Sequence, residues 1–574
     1  MKAENYLPPL RWLKTYSAAS AGADLLAGAI LAVLLVPQAM AYALLAGLPP
    51  EVGLYTAIAP PLVYAMLGTS SYASMGPVAL ASLLVADAIG TSDLPATQAA
   101  AIIAVEVGVI LIVLGVLRLG RLVNFISDPA LLGFTAAAAV LIAASQLPAL
   151  LGVEAERAGT LSGVIEGIAP MLSEIHFSTL LLGGGALALL LLGDRFGAAG
   201  LWKLGVRPPW RTALVKSIPL LVLIGAAVVA ALFVPGTETV REPPSGLPPI
   251  TFPPFAMDAW LSLAMPSVVI AIVVFVTGTA VAKSLAGRRR QALDTSQEAI
   301  AIGAASVAGA LTGGYAPGVS LSRSALVYDS GGQTPLASGV AAIIVMIVAL
   351  FFAAPLAMLP TAALAALVMS AVFSLVKARA ILSTWRHSKI EGGVFLVTLA
   401  GTLFLGVQWG LAAGTAAGVV AFLWFSSLPR VTRLGTVEGE DRYRSILRDD
   451  VETVDSLPVL AIRIDRSIYF GNVGHCEDQL LTLLQEHPDA QCLLIDMKSV
   501  NDVDSSGLSM LSRLVEHVEE KKLTVGFAEV HEHLKPRLNR AHELRACESY
   551  HDVSHGVEEM AKTCGRSENG ALPR

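Results

Sequence analysis

The stretch GGYAPGVSLSRSALVYDSGG (residues 313–332) puts an arginine in mid-membrane of a chain that otherwise reads as apolar. Burying that guanidinium costs about 3 kcal/mol or more, so something must compensate Arg323. Ser320 and Ser322 flank it with hydroxyl donors, on a short apolar segment introduced by Gly, Pro and Ser. GTSSYASMGPVALASLLVADA (68–88) has the same design: a Gly/Tyr/Ser lead-in, a Gly-Pro pair, then a half-length apolar helix. A helix start offers free N–H groups and about half a positive charge. Two such starts, one near Gly76, Pro77, Val78 and Ala79 and the other near Val319, Ser320 and Leu321, would form an anion site if they met. Ser322 and Ser74 would add hydroxyls. Arg323 would add a full charge, favourable once an anion is bound, because charge-assisted hydrogen bonds are the strong ones. The pattern points to an anion and away from a cation or neutral sugar. The competing readings are that the glycines serve close helix packing and that Arg323 snorkels to an interface.

Elements of a particular kind must hold such starts at that depth. Non-helical backbone inside a bilayer is tolerated only when buried in protein or lining a cavity. Apolar runs recur between residues 22 and 428 as about fourteen segments. Cut near residue 250, they form two sets of seven (22–250 and 251–428), and each interrupted segment is third in its set. Matching interrupted segments in two halves mark an inverted-repeat transporter with its site at mid-bilayer. Of the 574 residues, 54% are hydrophobic and 15% charged, and mean hydropathy is +0.66, a balance of spanning helices. The net charge of -6 gives no basic surface for nucleic acid.

Arg118 with Arg121, then Arg195 to Lys216, then Lys283 with Arg288–Arg290, then Lys377 to Lys389 fall in alternate loops. The loops between hold only Arg157 and Arg241. The basic loops are therefore expected inside, and an even segment count puts both termini there too. Residues 1–21 read as a cytoplasmic leader with no signal-peptide pattern. No G-x-S-x-G elbow, H-E-x-x-H or Walker A sequence is present, so neither an enzyme nor an ATP-driven pump is expected, and no cofactor or metal is called for.

Beyond a linker expected at 429–444, periodicity becomes that of a soluble protein. Strand-like VLAIRIDRSIYFGNV (459–473), QCLLIDMKSV (491–500) and LTVGFAEV (523–530) alternate with helical 476–487 and 506–522. That predicts a small α/β domain over 445–565, followed by a disordered tail at 566–574. Its four cysteines (Cys476, Cys492, Cys547, Cys564) are expected as reduced thiols. DVDSSGL (502–508) puts Ser505 and Ser506 at a helix start, which suits a regulatory phosphate on Ser505 or a plain N-cap.

These motifs, in order, resemble the SulP family of sulfate permeases and prestin-like anion transporters. DLLAGAILAVLLVPQAMAYALLAGLPPEVGLYTAIAP (24–60) is similar to its first helix and signature, GPVAL (76–80) to its third segment, and LRLGRLVNFISDPALLGFTAAAAVLIAASQLPALLG (117–152) to its fourth and fifth. GALTGGYAPGVSLSRSAL (309–326) is similar to the tenth, and CLLIDMKSVNDVDSSGLSML (492–511) resembles a STAS domain. The resemblance implies an all-α polytopic membrane domain of two intertwined inverted seven-helix repeats, forming a core and a gate, plus a cytoplasmic α/β STAS domain. It also implies a homodimer contacting through the gate, and Gln38, Tyr42, Pro77, Val78, Ala79, Ser320, Leu321, Ser322 and Arg323 lining the anion site.

Two departures bear on coupling. Many bacterial members carry F-x-E-S-x-A-x-A-K in the eighth helix, where this chain reads FVTGTAVAK with Thr277 at the acidic position and Gly278 after it. The signature also commonly ends in Ser followed by Lys or Arg, where this chain has Ser70-Ser71. Without the acidic group, anion exchange or uncoupled movement is expected over proton or Na⁺ symport. Glu106, mid-segment, is either a relocated proton carrier or a protonated carboxyl packed on a neighbouring helix; a carrier would have to sit beside Arg323. Asp24 and Asp87 are expected at interfaces. The expectation is a multi-pass inner- or plasma-membrane secondary transporter for sulfate or a similar small anion (bicarbonate, chloride, dicarboxylate), working by elevator-like alternating access. A passive anion channel on the same fold is the alternative. Lipid surrounds the membrane part, and the STAS domain is the surface for a cytosolic partner.

Overall fold

A computed structural model describes residues 8–120, 126–154, 159–205, 207, 210–234, 236–240, 246–288, 291, 293–373, 375–437, 443–446, 453–454 and 458–564. Arg121, Arg157, Arg241, Arg289, Arg290 and the tail 566–574 lie outside these. The chain divides into two compact units, Met1–Gly418 and Val419–Arg574.

The first unit is helical. Its elements run α1 (Ala18–Leu45), α2 (Pro50–Thr56), α3 (Ala59–Leu67), β1 (Met75–Gly76), α4 (Ala79–Gly90), α5 (Ala96–Val116), α6 (Asp128–Ser145), α7 (Leu147–Leu151), α8 (Phe177–Lys203) and α9 (Trp210–Phe233). They continue as α10 (Met257–Arg288), α11 (Thr295–Leu311), β2 (Gly318–Val319), α12 (Leu321–Asp329), α13 (Leu336–Phe351), α14 (Thr361–Phe373), α15 (Lys389–Leu405) and α16 (Val407–Ser427), whose last residues belong to the second unit. Taking α2 with α3 and α6 with α7, these are the fourteen expected segments. Among the described residues, eight helices are long and apolar enough to cross a bilayer, whereas α4 and α12 are half-length, as their glycines and prolines predict. An amphipathic helix at Leu161–Ile168 and another at Ala378–His387, neither anticipated from sequence, lie in connections.

The helices sort into two packing groups. In one, α5 lies on α11, α1 on α13, and α10 on α5. Backbones approach so closely there that a Cβ on Gly108 would sit 2.7 Å from the Gly303 carbonyl, and one on Gly28 2.6 Å from that of Ala337; small residues are what let membrane helices come this near. In the other, α6 packs on α15 and α8 on α14, and α16 fits its glycines against Thr398 and Thr402 of α15. The large exposed apolar side chains of α8 and α9, such as Leu181, Leu189, Leu221 and Phe233, suit contact with lipid.

Asp24, expected at an interface, lies in the second turn of α1. It is buried, and its carboxylate accepts from the Gln333 amide (2.7 Å), the Thr334 amide (3.1 Å) and hydroxyl (2.6 Å), and the Tyr16 hydroxyl (3.3 Å). Four donors offset the desolvation that would otherwise keep a carboxylate at the surface.

In the second unit a mixed sheet runs β4 (Tyr443–Ser445), β3 (Val431–Val437), β6 (Val459–Ile464), β7 (Cys492–Asp496), β8 (Thr524–Ala528), β9 (Glu548–Tyr550), with β5 (Thr453–Val454) also paired to β3. β6 to β9 are parallel and β3 is antiparallel to β6. β3 therefore occupies the stretch expected as linker: VTRLGTV alternates and pairs with β6. Side-chain alternation gives β7 two buried faces. Leu493 and Ile495 join a core with α17 (Val473–Glu486) and α18 (Ser505–Glu520), while Cys492 and Leu494 join another with α19 (Val553–Cys564). The expectation of four reduced thiols is corrected here. Cys492 and Cys564 form a disulfide between β7 and α19, leaving Cys476 and Cys547 free. The pair is 72 residues apart in sequence, and only the packing of α19 on the sheet brings it together.

Candidate anion-binding site

The segments leading into α4 and α12 cross as a two-stranded antiparallel ladder, β1 with β2, pairing Met75 with Val319 and Gly76 with Gly318. The Ser320 amide donates to the Ser74 carbonyl (3.1 Å) and the Ser74 amide to Ser324 Oγ (2.9 Å). The ladder thus satisfies backbone groups that lipid would leave orphaned. Glycine is required on both strands. A Cβ at Gly318 would fall 2.5 Å from Val78 Cγ2, and Gly76 has φ +144° with its open side toward the Arg323 guanidinium.

Arg323 lies in the first turn of α12 and is fully buried. Its Nη1 donates to the Pro77 carbonyl at 2.7 Å, joining the two crossing segments. Nε and Nη2 have no hydrogen-bond partner. The nearest ionisable groups are the phenols of Tyr42 and Tyr315, and no carboxylate of a described residue pairs with it. Gln38, also buried, leaves Oε1 without a partner, as does Ser74 with its Oγ.

The open face belongs to the helix starts. Leu321 is 46% exposed; Ser322 is exposed, Ser320 and Val78 half-buried, and Ala79 and Val319 buried. Ser320 caps α12, accepting from the Arg323 amide (3.4 Å), and its hydroxyl lies 3.3 Å from that of Ser322. Val78 supplies no capping side chain to α4 and Pro77 no N–H, so the first-turn amides of α4 keep free donors. Thr277 is half-buried on α10 and donates its hydroxyl to the Val273 carbonyl of its own helix (2.7 Å). Gly278 beside it abuts Val319 of β2. The position that could carry an acidic group thus borders the ladder, with a group that holds no charge.

Glu106 is half-buried on α5 beside Ser267 of α10, with Oε2 unpartnered. Ser267 is ten residues before Thr277, about 15 Å along the helix, so the carboxyl is not beside the ladder. Ser505, in the other unit, is the exposed first residue of α18, whose N-cap Asp504 accepts from the Gly507 amide at 2.8 Å.

Several supporting residues escape sequence reasoning. Tyr315 is buried, and its hydroxyl shares a 2.6 Å bond with Ser82 of α4. Glu298 on α11 is fully buried and accepts from the Tyr64 hydroxyl, the Thr69 amide and hydroxyl (each 2.6 Å) and the Ser70 amide (3.1 Å). Gln291 donates to the Thr69 carbonyl (2.9 Å) and Ser71 Oγ (3.1 Å). The segment leading into β1 is therefore anchored at Ser70-Ser71 by neutral and acidic partners.

Known proteins agree with this architecture. Residues 22–398 match the Sulfate permease family and residues 450–554 the STAS domain. The chloroplastic sulfate transporter 4.1 of Arabidopsis thaliana is 30% identical over 92% of this chain and 78% of its own. A probable sulfate transporter of Mycobacterium tuberculosis is 32% identical over 92% of both. Among solved structures, the murine Slc26a9 anion transporter in the inward-facing state superposes with a TM-score of 0.85 at 22% identity, covering 97% of this chain and 94% of that one. With its paired half-helices and C-terminal α/β unit, the chain belongs to the sulfate permease family, a family of multi-pass membrane transporters rather than enzymes.

Proposed function

We propose that the protein is a secondary transporter of small anions, with sulfate the first candidate, and that it works by anion exchange. The observation that carries this is Arg323: fully buried, with Nε and Nη2 unpartnered and no carboxylate of a described residue paired to it. A cation in that state is stabilised by an anion near the starts of α4 and α12, where free amides and the Ser320 and Ser322 hydroxyls converge. Gln38, Tyr42, Gly76, Pro77, Val78, Ala79, Val319, Ser320, Leu321, Ser322 and Arg323 form this site in our reading. Some bind through side chains, others by shaping the backbone. The relatives named sulfate transporters support the choice of sulfate.

Exchange rests on Thr277 and Gly278, which put no acidic group beside the ladder to carry a proton or hold Na⁺. The helix group containing α4 and α12 would act as the core, moving elevator-like against the group containing α6 and α14 as the gate. We further read the chain as an inner-membrane homodimer with both termini cytoplasmic, as its alternating basic loops favour, with Ser505 a regulatory position facing a cytosolic partner. The test is sulfate uptake into proteoliposomes preloaded with sulfate or left empty, with and without imposed pH or Na⁺ gradients. Uphill uptake driven only by internal anion supports exchange. Accumulation driven by a cation gradient overturns it, and uptake that never exceeds equilibrium makes the protein a channel.

A further inference from the structure

The two helical groups touch through a polar contact far from the ladder. Asp87, eight residues beyond the start of α4 and so about 12 Å along it, accepts a hydrogen bond from Gln408 Nε2 across 3.3 Å. Gln408 lies in the first turn of α16, after Gly406 turns the chain with φ +94°. The other carboxylate oxygen presses on Gly159, where a Cβ would meet Oδ1 at 2.4 Å. One half-helix of the candidate site is thus held at its far end by the opposite group. Near the ladder, by contrast, the start of α12 is open, with Leu321 46% exposed.

We propose that Asp87 is a positioning residue for transport: its contact with Gln408 latches α4 to α16, closes the path on that side, and breaks in every turnover. A carboxylate oxygen in a partly buried place is a strong acceptor, and a single bond can be made and lost as the groups shift. Gly159 leaves the room in which the carboxylate seats; a Cβ there would push Oδ1 out of its place. Two discrete arrangements of one packed interface are the usual means by which a small contact biases a large motion.

The inference rests on the transporter reading, and the experiment separates the two. Asp87→Cys with Gln408→Cys is joined by a short bis-methanethiosulfonate in proteoliposomes, and exchange is measured before and after reduction. The expected result is at least a tenfold loss on cross-linking and recovery with reductant, while each single cysteine variant stays active under the same reagent. Gln408→Ala, which removes only the donor, should lower KM for anion presented on the Asp87 side and raise it on the other, by a similar factor of about 3–10 (0.7–1.4 kcal/mol). A merely structural role would reduce yield without moving the two KM values in opposite directions. Undiminished exchange by fully cross-linked protein, failure to cross-link, or unchanged KM on both sides each overturns the latch. A wild-type protein that moves no anion overturns the transporter reading as well.

Discussion

Arg323 donates to the carbonyl of Pro77, a residue 246 positions earlier, and so ties the start of one half-helix to the start of the other. The same guanidinium keeps Nε and Nη2 free. It therefore has two duties, bracing the crossing and supplying charge, and substitutions should separate them.

Arg323→Ala should remove both. A hydrogen bond to a charged group is worth about 1.5–3 kcal/mol, so exchange should fall about 10- to 100-fold. Arg323→Lys keeps the charge without the planar fork and should fall between the two. Uptake in proteoliposomes, normalised to folded protein by size-exclusion profile, measures this; wild-type rates in Arg323→Ala would remove the arginine from the site.

Glu298 is the anchor of the segment leading into β1, with four hydrogen bonds to one buried carboxylate. Glu298→Ala would strand Tyr64, Thr69 and Ser70 and should cost about 3 kcal/mol or more, seen as a lower Tm in detergent and poor yield. Tyr64→Phe removes one donor and should cost about 1–2 kcal/mol. Equal Tm values for the two variants would contradict this ranking.

The ladder tolerates no Cβ at Gly318, which would meet Val78 Cγ2 at 2.5 Å. Gly318→Ala should therefore cut exchange about tenfold or more by forcing the strands apart, an overpacking strain of about 1–3 kcal/mol. Pairing it with Val78→Ala makes room and should restore most of the loss, a coupling visible in a double-mutant cycle. Strictly additive losses would show that the contact is not what limits the site.

Thiol chemistry distinguishes the cysteines of the second unit. Burial pushes the Cys476 and Cys547 thiols up to about 11, the latter aided by Glu519. At pH 8 both lie well below their titration, the reactive thiolate is scarce, and iodoacetamide should label them slowly until the unit is unfolded. Cys492 and Cys564 should label in unfolded protein only after reduction. Mass spectrometry of unfolded protein with and without reductant reads both outcomes; labelling of all four without reductant would remove the disulfide.

The half-helices are legible because breaking a membrane helix needs Gly, Pro and Ser in places where nothing else would be chosen, and because Arg323 has no inexpensive excuse. The fourteen segments are legible from apolar runs alone. Partnership is not. The donors of Asp24 are hidden because Gln333 and Thr334 are over 300 residues away, and Glu298 gives no signal because a buried carboxylate and an exposed one are the same letter. Ser324 passes unremarked in the SLSRS run, since only the antiparallel register reveals that its hydroxyl receives the Ser74 amide. β9 and α19 escape notice because ESYHDVSHGVEEM is polar enough to pass for surface loop. β3 reads as a connector because its partner, β6, lies beyond a long insertion.

The pairing of Met75 with Val319 and Gly76 with Gly318 makes the two helix starts parts of one stitched object. A bound ion would then meet donors at a fixed spacing whichever solution it came from, because the ruler travels with the cargo. Preference for one ion over another should accordingly be the same from both faces of the membrane, and any difference in apparent affinity between the faces would belong to the routes leading in.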